Sequence, residues 1–448
     1  MTMPCSFDPV FASSSRWVNS SSPRLHFADS PFASCETDPA AEKNPADDVV
    51  EGIPTTATIT LTNAPSTMAT ENGTPPESDF AEATLYVFNN ADVLESIVPF
   101  SVEDVDAKKV TFQTTTGAKR LFVCANMNDI LANFNFKTVT TAATPTEVTK
   151  LDAFKKTQAA IADFTSITGA GKFWMTNLEA QPAQKTVTAS GENKFTVTIG
   201  RACAKVRLSL GTGVVGSGGT LDNLKFKTKN NPDKMYLMPV YEGANYTGKQ
   251  LLTPYYGATT QGTYIDGSAQ VSFSTEGGIS YLTENSNATI LAGKASYLEV
   301  EGIWTPNVDQ ILDKDGNPGA ALTNNDFWRV ALKSGGVITG YKPGCYNELP
   351  STGQIGSGNE AIKYTGGKCY YAIYLQDKNA GSDKELPLRY TVKRNTLFDV
   401  VISSISGPGA NDPGGVVPDP TKPVETVVSM EVNITIAPWT IANLSAGI

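Results

Sequence analysis

The sequence predicts an all-β protein made of two β-sandwiches in tandem, followed by a tethered C-terminal strand. Three observations carry this. Apolar and polar residues alternate with a period of two in short runs along the 448-residue chain, the spacing of strands with one buried face. Gly- and Asn-rich stretches separate those runs, as loops do. Helix-like spacing is confined to one segment, 147–164, where Leu151, Phe154, Ile161 and Phe164 share a face and predict one amphipathic helix.

Composition sets the outer limits. Hydrophobic residues make up 40% and charged residues 18%, the proportions of a globular protein, and the length allows two or three domains. A net charge of −10 argues against nucleic acid or an anionic membrane surface as the main partner. No apolar run reaches the roughly 18 residues needed to span a bilayer. The single histidine, His26, lies in a Ser- and Pro-rich leader, so the folded body has no imidazole for a catalytic triad, a zinc site or a general base. Carboxylate-pair hydrolysis needs only Asp and Glu and stays formally open, but no motif marks out such a pair. The expectation is a non-enzyme without cofactor or metal.

In chain order, residues 1–54 read as a solvated leader. Within it Phe32-Ala33-Ser34-Cys35, followed by polar residues, has the form of a bacterial lipobox, in which the cysteine is diacylated and becomes the new N-terminus. Residues 1–31 show neither the basic region nor the roughly 7–15 apolar residues of a secretory signal. Thr55–Asn63 alternates Thr with Ala57, Ile59 and Leu61, a first strand with a modest apolar face. Further strands are predicted at Ala83–Asn89, Lys109–Gln113, Arg120–Ala125, Thr186–Ala189 and Lys194–Ile199. A second group covers Ala202–Leu210, Leu224–Thr228, Met235–Val240, Tyr297–Ile303, Cys369–Gln376 and Leu397–Ile402. The strand count fits two sandwiches joined near Gly200 better than one barrel. No internal sequence repeat is evident.

Residues 404–426 are rich in Gly, Pro and Asp, a composition expected neither to pack nor to form regular structure. After them Val428, Met430, Val432, Ile434 and Ile436 alternate with polar residues, the pattern of a strongly amphipathic strand. On such a tether it would reach a groove on its own domain or on another molecule.

Several motifs are weak. Gly211, Gly213 and Gly216 form G-x-G-x-x-G after a strand, but another Gly-rich loop follows where a nucleotide site needs a helix. Asp313, Asp315 and Asn317 resemble the start of a calcium loop, yet Pro318 and Asn324 stand where Gly and Glu are required. Trp174, Trp304, Trp328, Tyr370 and Tyr371 would suit a glycan site and suit a sandwich core better. Of the six cysteines, Cys124 and Cys203 read as buried small hydrophobes. Cys345 and Cys369 flank a Gly-rich loop and are the candidate disulfide in an oxidising compartment.

Val123–Asp129 (VCANMND), Arg201–Val206 (RACAKV), Val392–Asn395 (VKRN) with Phe398-Asp399-Val400, and a Pro/Asp linker running into a final strand with Pro438-Trp439 occur in this order. In these features the chain resembles the fimbrillins of Bacteroidales, the subunits of minor (short) fimbriae in particular, over about residues 55 to 448. The resemblance implies transthyretin-like sandwiches and export through the outer membrane as a lipoprotein lipidated at Cys35. It also implies proteolytic loss of the leader with the first strand, and a cell-surface filament in which a neighbour's C-terminal strand fills the emptied groove. The implied partners are identical subunits, tip and anchor subunits, and outer-membrane lipid during export, with no nucleic acid; the surface ligand stays open. The expected organisation is a leader over 1–54, sandwich domains over 55–200 and 201–404, a linker over 405–426 and a donor strand over 427–448. Its anchors would be Val428, Met430, Val432, Ile434, Ile436 and Trp439, against Ala57, Ile59 and Leu61 of the displaced strand. At about 1.5–3 kcal/mol per buried large side chain, two extra anchors favour the donor by roughly 3–6 kcal/mol. Head-to-tail linkage does not close on itself and so makes a filament. A tip or accessory adhesin, or a glycan-binding surface lipoprotein, is the alternative. One departure stands out: relatives are cut after a basic residue beyond the first strand, and here no Lys or Arg occurs between Lys43 and Lys108.

Overall fold

β1 (Pro54–Asn63) is an inner strand of the first sheet, which is why Ala57, Ile59 and Leu61 are each at most 2% exposed. A computed structural model describes residues 49–63, 77, 79–138, 148–169, 172–178, 184–239, 264–265, 267, 270–287, 289–377, 386–424 and 430–438. Side chains are described for these except Asn63, Leu386, Pro387 and those of 430–438. Cys35, Val428 and Trp439 lie outside the described residues.

After β1 come β2 (Ala83–Phe88), β3 (Leu94–Pro99), β4 (Lys109–Thr115), β5 (Gly117–Ala125), β6 (Gln158–Ala160), β7 (Met175–Asn177), β8 (Lys185–Val187) and β9 (Lys194–Arg201). The sheet runs β3-β2-β5-β7-β9-β1-β4, with β8 on β5. β1 is antiparallel to β4 and parallel to β9. Its inward residues join Leu85, Phe88, Phe122, Phe154 and Ile199 in one apolar core. A short helix, α1 (Val102–Ala107), leads into β4; Ser101 and Asp104 form a capping box at its start.

The long helix expected over 147–164 is not formed. One short helix, α3 (Leu151–Lys155), and the strand β6 stand there; α2 (Asn128–Leu131) precedes them and α4 (Thr165–Thr168) follows. β6 pairs with Lys234–Tyr236, so its backbone finds sheet partners that a helix would have denied it. Leu151, Phe154, Ile161 and Phe164 are buried all the same, which is the burial that their spacing reported.

The second half comprises β10 (Ala204–Leu210), β11 (Gly219–Lys229), β12 (Asn231–Pro232), β13 (Lys234–Tyr236), β14 (Tyr264–Ile265), β15 (Val271–Ser272), β16 (Gly278–Leu282) and β17 (Tyr297–Pro306). It continues with β18 (Ile311–Leu312), β19 (Phe327–Ser334), β20 (Val337–Tyr341), β21 (Cys345–Tyr346), β22 (Glu360–Tyr364), β23 (Lys368–Tyr374), β24 (Thr396–Ile405) and β25 (Met430–Pro438). Sheets β16-β10-β24-β25 and β15-β11-β17-β23 contribute to a second core around Phe226, Trp304, Tyr371 and Phe398. Strands β18 to β22 form a sheet of their own, inserted between β17 and β23, which are themselves antiparallel neighbours. The sequence alone predicts no strand over 304–367.

The two halves share a topology that their sequences hide. In the first, β4-β1-β9-β7 pair as antiparallel, parallel, antiparallel. In the second, β16-β10-β24-β25 repeat those directions. β25 therefore stands on β24 where β7 stands on β9.

Two further expectations are corrected. The Gly/Pro/Asp stretch packs after all: Tyr370 and Ala410 exchange backbone hydrogen bonds of 2.8 and 2.9 Å. Tyr364 and Tyr371 donate their hydroxyls to Gly409 O (2.7 Å) and Gly407 O (2.9 Å). Only glycine fits at 409, since a Cβ there would lie 2.0 Å from Tyr370 O. Backbone that builds no sheet of its own is thus satisfied by tyrosines and a neighbouring strand. Cys345 and Cys369 are both free thiols, not a disulfide. Cys369 sits on β23 with its Sγ toward Gly302 O and the Tyr371 hydroxyl, whereas Cys345 belongs to the inserted sheet.

Candidate assembly site

Period-two alternation gives β1 one apolar and one hydroxylated face. On the outer face Thr58 meets Thr111 of β4 (Oγ1 to Oγ1, 2.8 Å) and Thr62 meets Thr198 of β9 (3.0 Å). The backbone is engaged on both sides, with Pro54–Thr60 opposite Thr115–Lys109 and Thr58–Asn63 opposite Lys194–Ile199. Asn193 donates from Nδ2 to Thr56 O (3.1 Å) and accepts at its own carbonyl from Thr58 N (2.8 Å). Ahead of the strand, residues 50–53 grip Thr116: its hydroxyl donates to Val50 O, and Ile53 N donates to that hydroxyl at 3.0 Å. Taking β1 out would open a slot with unpaired backbone on both walls and an apolar floor, the combination that another extended segment can satisfy.

The C-terminal strand lies in register along β24. Met430, Val432, Ile434 and Ile436 stand opposite Ile405, Ile402, Val400 and Phe398, all four buried. β25 is an edge strand of its own chain, with no described strand on its far side. The packed 406–424 stretch leaves only residues 425–429 between the last anchored point and this strand. Ala292 N and Gly293 N donate to Lys422 O and Pro420 O, so the anchoring extends almost to Pro423.

The two halves of the chain meet at a buried polar junction. Arg201, at the end of β9, donates from Nε to Glu77 O (2.9 Å) and from Nη1 to Asn395 Oδ1 (3.2 Å). Lys205 holds the Glu77 carboxylate at 2.8 and 3.0 Å, and the Tyr281 hydroxyl donates to the same group at 2.7 Å. Burial, aided by Glu77, pushes the Tyr281 phenol well above its ordinary range, so it remains a donor. Arg394 reaches from just before β24 into the first half, donating from Nη1 to Thr176 Oγ1 (2.8 Å) and Leu237 O (3.0 Å) and from Nη2 to Glu284 Oε2 (2.5 Å). Buried charges need such partners. The sequence motifs RACAKV and VKRN thus supply the cations and Asn395. Glu77 and Glu284, which complete the junction, carried no local signal.

The other marked residues are structural. Gly216 leaves room for Trp304: a Cβ there would lie 2.6 Å from the indole, and Gly219 is constrained the same way. Asp313 Oδ1 accepts from Asp315 N and Asn317 N at 2.9 Å, an Asx turn. Among the described residues no cluster of three His, Cys, Asp or Glu side chains is placed to hold a metal. Trp174, Trp304 and Tyr371 are core residues. A cleft of about 470 Å³ beside α2 and α4 is lined by residues that include Glu82, Asp129, Lys172 and Trp174.

Two family models match the chain. Residues 55–237 match the major fimbrial subunit protein (FimA) model, and residues 362–444 match the C-terminal model of major fimbrial subunit protein type IV, fimbrillin. No curated protein matches. Among solved structures, a fimbrilin (FimA) of Porphyromonas gingivalis W83 is 14% identical, with 87% of this chain and 98% of that one covered and a TM-score of 0.46. The tip fimbrial protein Mfa3 of the same species, with C-terminal truncation, is 12% identical over 86% and 100% at 0.39. A fimbrial assembly protein of Parabacteroides distasonis is 11% identical over 87% and 100% at 0.35.

Proposed function

Because this chain belongs to the major fimbrial subunit (fimbrillin) family, we propose that it is a shaft subunit of a cell-surface fimbria, polymerised by strand exchange. In this reading residues 55–200 and 201–404 are two transthyretin-like sandwiches, and the precursor is exported through the outer membrane as a lipoprotein carrying its lipid on Cys35. The C-terminal strand leaves β24 and fills, on a neighbouring subunit, the slot that β1 vacates. The filament then supports adhesion, and the subunit performs no catalysis.

The observation that carries the proposal is the position of β1. It is an inner strand with both main-chain edges paired and three buried side chains, so its loss leaves a defect of one strand's width. A donor with larger apolar residues at alternate positions repairs such a defect with more burial than the original. β25 suits the role because an edge strand gives up only one ladder when it leaves. With no basic residue between Lys43 and Lys108, β1 is released either by a protease of another specificity, cutting within 64–79, or by uncut displacement. N-terminal sequencing of subunits taken from filaments, alongside electron microscopy, tests the reading; filaments whose subunits all retain β1 in its slot would refute it.

A further inference from the structure

β4 is the wall of the slot with the least support. It pairs with β1 and, among the described residues, with no other strand, and it forms one end of the sheet order. Its near end is set by the capped helix α1 and by Lys108 in the left-handed region, and its middle by the buried Val110 and Phe112. Its far end depends on Thr116, which residues 50–53 grip, and on one carboxylate.

That carboxylate is Glu95. It stands on β3, at the opposite end of the sheet order, where the register with β2 slips: Phe88 faces Leu94, Val87 faces Ser96, and Glu95 is left over as a bulge. A bulge redirects a side chain out of the regular alternation. Here Glu95 crosses to β4, accepting at Oε1 from Thr114 Oγ1 (2.8 Å), Thr115 N (2.9 Å) and Thr115 Oγ1 (3.1 Å). Its Oε2 accepts from Lys119 Nζ at 2.5 Å, and Lys119 also donates to Thr115 Oγ1 at 2.9 Å. The Lys119 side chain is 3% exposed and that of Glu95 15%, so the pair is little screened by solvent. Glu95 therefore ties one edge of the sheet to the other by a route that does not pass through β1.

We infer that Glu95 is a positioning residue for strand acceptance, holding β4 in place as the far wall of the slot while β1 is absent, so that a second copy's C-terminal strand finds a preformed site. The inference rests on the strand-exchange reading above. When residues up to 63 leave, β4 loses its ladder and Thr116 loses its grip on residues 50–53, while the Glu95 contacts to Thr114, Thr115 and Lys119 survive. An incoming strand then spends little of its binding energy on reordering the wall.

The test uses the full chain with a specific protease sequence placed in 64–76, cut after folding, and a synthetic Val424–Ile448 peptide as the incoming strand. Hydrogen exchange of Lys109–Thr115 and the rate of peptide uptake are measured for wild type, Glu95→Ala and Glu95→Gln. In the uncut chain Glu95→Ala should leave β4 exchange within about twofold of wild type, because β1 still holds it. In the cut chain with β1 departing, β4 exchange should rise at least about tenfold and peptide uptake fall by a similar factor. Glu95→Gln keeps an acceptor for Thr114 and Thr115 and should lie between the two; it carries the test alone if Glu95→Ala does not fold. Equal effects in cut and uncut chains would make Glu95 an ordinary structural residue and overturn the inference, with strand exchange intact. If the cut wild-type chain takes up no peptide, the strand-exchange reading fails and takes the inference with it.

Discussion

Arg394 donates from Nη2 to Glu284 Oε2 at 2.5 Å, and neither side chain has any exposed surface. The same guanidinium reaches Thr176 on β7 and the carbonyl of Leu237, whose side chain packs in the first core, so the segment that starts β24 is fastened to the sheet that contains β1. Removing one partner strands a buried charge. Arg394→Ala or Glu284→Gln should lower stability by about 3–5 kcal/mol in urea titrations. The double change Arg394→Met with Glu284→Leu should cost clearly less than the sum of the two, since no unpaired charge remains.

Deleting Val424–Ile448 should leave a folded chain that forms no filaments. The strand register sharpens this prediction. β25 covers the edge of β24, so the truncated chain should also be less stable and more prone to edge-to-edge association, visible as a lower midpoint and a shift in sedimentation. Val432→Asp with Ile434→Asp should block assembly likewise, because both positions stand opposite buried residues of β24 in the subunit and would carry charge into an apolar slot in the filament. Normal polymerisation of either variant would remove the C-terminal strand from its proposed role.

Period-two patterning made β1, β4, β5, β9, β10, β17, β23, β24 and β25 legible to within a few residues; in strands such as β1, β4 and β23 the alternation records the face that lies in a core. It misled at 147–164, where Phe154 is buried from a short helix and Ile161 from the irregular segment after β6 instead of both from one helix; burial is encoded there, the backbone path is not. The proposed assembly site was half legible. Ala57, Ile59 and Leu61 announced a buried strand, but nothing local says that β1 is an inner strand, since that depends on pairing with residues more than 130 positions away, such as Thr198 with Thr62. Glu77, Glu95 and Glu284 are ordinary acidic residues in sequence and acquire roles only through partners brought by the fold.

The four described cysteines should behave as unpaired thiols. Burial pushes Cys345 and Cys369 up to about 11, so neither is a ready nucleophile near neutral pH. Alkylation at pH 8 should leave Cys124, Cys203, Cys345 and Cys369 unmodified in the folded chain and label all four on unfolding without reductant. Peptide mapping that finds Cys345 and Cys369 labelled only after reduction would restore the disulfide.

Burial alone would raise the Glu95 carboxyl, but hydrogen bonds from Lys119, Thr114 and Thr115 outweigh it and hold the group below its ordinary value of 4.5. A carboxyl depressed in the folded state contributes stability that is present above its unfolded pKa and is lost as pH falls through the folded one. In the cut chain with β1 departed, lowering the pH from 6 should therefore leave β4 protected until below about 4.5, after which exchange at Thr114 and Thr115 should rise, whereas the uncut chain, with β4 held by β1, should show little change. Glu95→Gln cannot titrate and should show no such step. A step near neutrality would point to a different group.

In the proposed exchange β1 and the C-terminal strand compete for one slot, which makes a prediction with opposite signs on the two strands. Ile59 is fully buried, and Ile59→Ala should destabilise the precursor by about 2–5 kcal/mol, with the cost concentrated in the hold on β1. A looser β1 leaves its slot more often, so assembly of this variant should be faster than wild type once β1 is cut or displaced. Ile434→Ala weakens the incoming strand instead, and assembly should slow. The measurement is filament formation from equal concentrations of folded subunit, followed by light scattering and electron microscopy. Two strands that contend for one slot must respond in opposite directions to the same loss of side-chain volume. Slowing by both variants would mean that β1 remains in the filament and that the C-terminal strand binds elsewhere on the neighbouring subunit.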